Sequence, residues 1–115
     1  MRISLKRQRL VLDRMIELLE PSYGWTKNVW NRPEARAKNG LGKSFCLLGA
    51  ADQAFMDVTG RKAGQVERVL KEMSVVTLIK AKSGHGSVIS FNDAKTTKKA
   101  DVLDILREKR AELAG

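Results

Sequence analysis

A single cysteine, a single histidine and only two prolines occur among the 115 residues of this chain. One cysteine forms no intramolecular disulfide, and one cysteine with one histidine cannot furnish the ligands of a structural zinc site. No metal and no cofactor are therefore expected. A lone thiol without a disulfide framework suits a reducing compartment, so the expected location is cytoplasmic. No apolar run approaches the roughly 18 residues of a membrane span. The N-terminal MRISLKRQRLVLDRMIELLE is basic but has no continuous apolar stretch or small-residue cleavage site, which argues against a secretory signal. Acidic residues are also scarce: 13 Asp+Glu stand against 22 Lys+Arg, a formal charge of +9. That imbalance points to anionic partners.

Apolar residues make up 43% of the chain, enough to pack a core, and the length suits a single domain over residues 1–115. Residues 3–20 read as a helix with Leu5, Leu12, Met15, Ile16 and Leu19 on its buried stripe, closed by Pro21. Residues 21–43 form a long irregular stretch holding both prolines and both tryptophans. A connection so long must pack or act, and Tyr23, Trp25 and Trp30 are its expected anchors. A short helix around Glu34–Lys38 is weakly signalled. Residues 44–58 read as a central helix capped by Ser44, apolar on every side through FCLLGAA and stopped at Thr59-Gly60. A third helix starts at Lys62, with Val66, Val69, Leu70 and Met73 inward and Glu67/Lys71 and Arg68/Glu72 as opposite-charge pairs outward. A last helix, capped by Thr97, buries Val102, Leu103, Leu106 and Leu113.

Residues 75–91 admit two readings. SVVTLIKAK can extend the third helix to about Lys80, or its β-branched run can form a strand paired through Ser83–Gly86 with Ser87–Phe91. The first reading gives an all-α, four-helix domain with a Trp-bearing loop folded over one end. The second gives a winged helix, with the helix from Lys62 in a major groove and Lys80, Lys82 and His85 on the wing.

Trp25-Thr26, Cys46-Leu47-Leu48-Gly49-Ala50, Phe91-Asn92-Asp93 and the Thr-led helix with Val102-Leu103 together resemble one uncharacterised family. It comprises short bacterial and phage proteins, known as a domain of unknown function, with a pattern W-T…C-x-x-G-A…[WF]-N-D…V-L. The likeness spans residues 10–113. Lys98 stands where members often carry His, and the segment from Ala50 to Asn92 is longer than the pattern leads one to expect. The resemblance implies a mainly helical domain and brings no activity with it.

Several constellations bear on chemistry. Ala37–Ser44 satisfies a relaxed phosphate-loop pattern, but residues 30–36, WNRPEAR, cannot supply the buried strand that such a loop follows, so a glycine turn is expected. Cys46, His85 and Asp93 occur in the order of a Cys–His–Asp arrangement. Yet apolar neighbours surround Cys46, and a buried cysteine usually serves as a small hydrophobe. Asn92-Asp93 is the most specific polar pair, either a functional pair or a turn and cap. Trp25 and Trp30 either close the core or stack on bases.

The basic residues carry the functional expectation. Arg2, Lys6, Arg7 and Arg9 crowd the start of the first helix while Glu17 and Glu20 sit at its end, the reverse of what the helix dipole favours. The last helix has the favourable order, Asp101 and Asp104 early and Arg107, Lys109 and Arg110 late. An external anion explains the first arrangement economically. The chain thus reads as a non-enzymatic binding module that meets nucleic acid through phosphates at Arg2, Lys6, Arg7, Arg9, Arg61, Lys62, Lys98 and Lys99. The alternative is an accessory protein of phage or mobile-element type that inhibits an acidic host protein.

Overall fold

Ser4 opens the first element: its hydroxyl accepts from the Arg7 N–H at 3.2 Å, and helix α1 runs Leu5–Leu19. A computed structural model describes residues 2–113. Val11, Leu12, Met15, Leu18 and Leu19 form the buried stripe of α1. Leu5, expected on that stripe, is instead 59% exposed because the first turn projects past the core, where Ile3 is buried in its place. Ile16 packs only partly against the interior.

The irregular segment then forms a small antiparallel ribbon of β1 (Asn31–Pro33) and β2 (Lys43–Phe45), with Asn31 opposite Phe45 and Pro33 opposite Lys43. No helix forms over Glu34–Lys38. That stretch is a turn, closed by the Ala37 N–H on the Glu34 carbonyl and by the Glu34 N–H on that of Gly42. Ser44 does not cap a helix. It lies in β2, and its hydroxyl donates to the Tyr23 carbonyl. The cap is Cys46, whose Sγ accepts from the Gly49 N–H at 3.3 Å, and α2 follows over Leu47–Thr59.

Helix α2 is the central element, packed against α1, β2, α3 and a later helix, as its uniformly apolar start predicts. Gly60, at φ 73°, ends it. The third helix starts later than expected, as α3 over Val66–Glu72, because Gly64 adopts φ 72° just before it. Ser74 then turns left-handed at φ 60° and separates α3 from α4 (Val75–Ser83). After Gly84, Ser87 caps α5 (Val88–Asp93) through its hydroxyl on the Ser90 N–H.

Residues 75–91 therefore form two short helices joined by a turn at 84–87, not the hairpin of the winged-helix alternative. Val75 and Ile79 of α4 are buried while Thr77 between them is exposed, as helical period requires and strand alternation forbids. The only ribbon among the described residues lies earlier, at residues 31–45. The fold is helical as expected, with six helices among the described residues in place of four. Helix α6 (Lys99–Glu112) is capped at Lys98 rather than Thr97, the Asp101 carboxylate accepting the Lys98 N–H at 2.8 Å. It runs antiparallel to α1: Arg110 meets Asp13 at 2.7 Å, and Arg107 pairs with Glu20. Asp13 in the middle of α1 and Glu20 just past its end thus face bases in the second half of α6.

Candidate functional site

The structure sorts the eight candidate cations into separate places. Arg2 and Arg7, from the start of the chain, and Arg61 and Lys62, beyond the end of α2, surround one concavity of about 130 Å³ floored by Ile3 and Phe55. Residues over fifty positions apart meet there because α1 and α2 pack antiparallel, which sets the start of one beside the end of the other; the Arg14–Asp57 ion pair at 2.9 Å fixes that register. All four cations are exposed, and among the described residues no carboxylate lies within ion-pair distance of any of them. Lys6 is exposed on the adjoining turn of α1.

The other three cations lie elsewhere. Arg9 donates to the Leu113 carbonyl at 3.1 Å, closing the end of α6. Lys99 donates to the Pro21 carbonyl at 2.6 Å, and burial lowers its pKa. Lys98 is the α6 cap. Lys98 and Lys99 therefore sit at the far end of α1, roughly 20 Å from Arg7 by helix rise. That is about two and a half Debye lengths at physiological salt, so they do not act with the Arg7 group as one field.

Asn92 is the polar hub. It is 1% exposed, and its Oδ1 accepts from the Trp25 indole N–H at 2.7 Å and from the Leu47 N–H at 3.0 Å. Its Nδ2 donates to the Thr26 carbonyl at 3.1 Å and to Asp93 Oδ1 at 2.9 Å. Asp93 Oδ1 also accepts the Asn28 N–H at 2.9 Å. The pair ties the irregular segment and the start of α2 to the end of α5, and all four bonds of the Asn92 amide are made. The bonds to Trp25, Leu47 and Thr26 reach segments 45 to 67 positions away, so the pair is not the local turn and cap that its sequence suggests.

Beside this hub lies a cavity of about 150 Å³ lined by Cys46, Asn92, Asp93 and Trp30. Burial pushes the Cys46 thiol up; Asp93 adds to the rise, and the N–H groups of Gly49 and Leu48 only partly offset it. The thiol is protonated at neutral pH and is a poor nucleophile. His85 does not join Cys46 and Asp93. Its Nδ1 lies 2.7 Å from Ser90 Oγ, and its ring lines a separate hollow with Thr97 and Asp101. The phosphate-loop pattern is also not realised, since Lys43 and Ser44 lie in β2, paired with Pro33 and Arg32. No group of described His, Cys, Asp or Glu residues is placed to hold a metal ion.

Of the three aromatic anchors, only Trp25 holds the irregular segment through a side-chain bond, one that is partly buried. Tyr23 is 50% exposed beneath the Arg36 guanidinium, 3.9 Å from its ring centre, and Trp30 is 47% exposed. The holding role falls to Asn39, which the sequence pattern did not flag. Its Nδ2 donates to the Leu18 and Lys43 carbonyls at 2.8 and 2.9 Å. Only its place in an Asn-Gly turn hinted at such a role.

The model of a family of unknown function, DUF6197, matches residues 5–112. The chain belongs to this family. The match takes in every helix, both strands and the Asn92 hub, whereas Arg2 lies outside it. No curated protein and no solved structure matches the chain. Among the described residues no helix is long and apolar enough to cross a membrane.

Proposed function

We propose that this protein is a non-enzymatic binding module that holds nucleic acid through its phosphates at Arg2, Arg7, Arg61 and Lys62. The supporting observation is the meeting of these four exposed cations around one concavity, with no described carboxylate in ion-pair range. Arg61 and Lys62 follow the carboxyl end of α2, where the helix dipole favours cations. Arg7 lies in the first turn of α1, where no acid balances it and the dipole opposes it. A bound phosphate offsets that repulsion. Arg9, Lys98 and Lys99 make intramolecular bonds or lie apart, and are left out of the interface.

Four phosphate contacts give a log–log salt slope near −3.6, so affinity should fall about 150-fold between 50 and 200 mM salt. Arg61→Glu with Lys62→Glu should abolish most binding, and Lys98→Glu should leave it near the wild-type level. A chain that forms no complex with DNA or RNA at 50 mM salt overturns the proposal. Capture of a partner that survives nuclease treatment and is lost in the same double variant would favour instead the inhibition of an acidic host protein, as expected of a phage accessory protein.

A further inference from the structure

Trp30 is fixed by its backbone and free at its ring. Its carbonyl accepts from the Cys46 N–H at 3.0 Å. Gly49 packs so closely on that carbonyl that a Cβ would stand 1.9 Å from the oxygen. The residue is nevertheless 47% exposed. A large ring on an already ordered backbone loses little further freedom when a ligand covers it.

Beside the ring runs a groove of about 600 Å³, within the roughly 300–1,000 Å³ usual for ligand sites. Leu48 and Ile89 give it apolar walls, and Gln65, Glu67, Arg68 and Lys71 line its polar side, two cations against one carboxylate. The pairs Glu67/Lys71 and Arg68/Glu72, expected from helical spacing, do not form as ion pairs, and among the described residues no carboxylate is in ion-pair range of Arg68 or Lys71. The groove starts at Gly64, two residues after Lys62 of the basic concavity. Two residues span at most about 7 Å, so the groove opens within that backbone distance of the basic concavity.

We infer that the ligand is a single strand of nucleic acid, with one base stacked on Trp30 and its flanking phosphates held by Arg68 and Lys71. This rests on the phosphate-binding reading and adds to it the strand state. A duplex offers the edges of its bases in its grooves and keeps their faces covered. A ring standing beside a cationic groove can use a face, which only an unpaired base presents. Stacking tolerates any base, in keeping with an interface that otherwise meets only phosphates.

The test compares an oligothymidylate and an oligouridylate of about 15 nucleotides with a duplex of equal length, by titration at 50 mM salt. The wild type should bind at least one single strand more tightly than the duplex, with quenching of tryptophan emission. Trp30→Ala should lose roughly 5- to 150-fold on the strand, the range measured for removing one stacked base, and nothing on the duplex. Trp30→Phe keeps a stacking face and should retain most of the affinity while losing the quenching; it also serves if Trp30→Ala fails to fold. Arg68→Glu should weaken strand binding as well. If Trp30→Ala binds the strand like wild type, or Trp30→Phe binds strand and duplex equally, while Arg61→Glu with Lys62→Glu weakens both, stacking is overturned and phosphate binding stands. If the wild type binds neither form, both fall.

Discussion

The indole N–H of Trp25 donates to Asn92 Oδ1 at 2.7 Å across 67 positions of sequence, and the same oxygen takes the Leu47 N–H at the first residue of α2. One side-chain oxygen thereby fixes the irregular segment, the central helix and α5 relative to one another. Cys46 and Trp30, on either side of this junction, are positioned by it.

Asn92→Ala should cost about 3 kcal/mol or more, because it leaves the Leu47 and Trp25 N–H groups without their acceptor, at about 1–3 kcal/mol for each buried donor. Asn92→Asp keeps the acceptor but turns a carboxylate oxygen toward the Thr26 carbonyl and Asp93. That variant should gain stability as pH falls through the carboxylate range, opposite to the usual acid response. Urea midpoints at pH 4 and pH 7 check both.

Gly49→Ala should destabilise by about 2 kcal/mol or more, since the added methyl meets the Trp30 carbonyl backbone rather than a flexible side chain. It should also shift the Trp30 emission maximum. Thermal melts with fluorescence detection read both effects, and a neutral result would contradict the close approach.

The Cys46 thiol is raised by burial, so its neutral form favours the folded state. The folded value lies above the unfolded one. This contribution is therefore complete below the ordinary thiol pKa and is lost as pH rises above about 8.5 through the folded value. Wild type should lose stability between pH 8 and pH 10 more steeply than Cys46→Ala, measured by urea unfolding. Cys46→Ala should itself cost about 0.5–2 kcal/mol at pH 7 through the lost cap. Reaction of the native thiol with a disulfide reagent should be no faster than global opening.

Ser74→Gly should stabilise the protein by about 1 kcal/mol, because an exposed non-glycine residue at φ 60° bears the left-handed penalty. A higher melting temperature is expected, with nucleic-acid affinity unchanged.

Much of the fold was legible in local pattern. The stripe of α1, the apolar α2 and the order of charges in α6 follow from helical period and dipole alone. The boundaries moved where neighbours outweighed propensity. Ser44 is a better cap than Cys46 by residue type, yet pairing with Arg32 drew it into β2 and passed the cap to a cysteine. The choice over residues 75–91 was not legible, because Val75 to Ile79 satisfies both periods; it turned on Ser74, whose left-handed backbone lets two short helices pack where one long helix would overshoot the core.

The sequence by itself determined a cationic, helix-forming chain with one packed interior, since charge count, hydrophobic period and capping residues act within a few positions of one another. Tertiary structure alone decided which cations share a surface, that Trp25 is bonded inside while Trp30 stands out, and that Cys46 and His85 lie apart. Those outcomes depend on how α2 packs against α1, the irregular segment and α5, and that packing brings together residues whose separation along the chain carries no trace of their meeting.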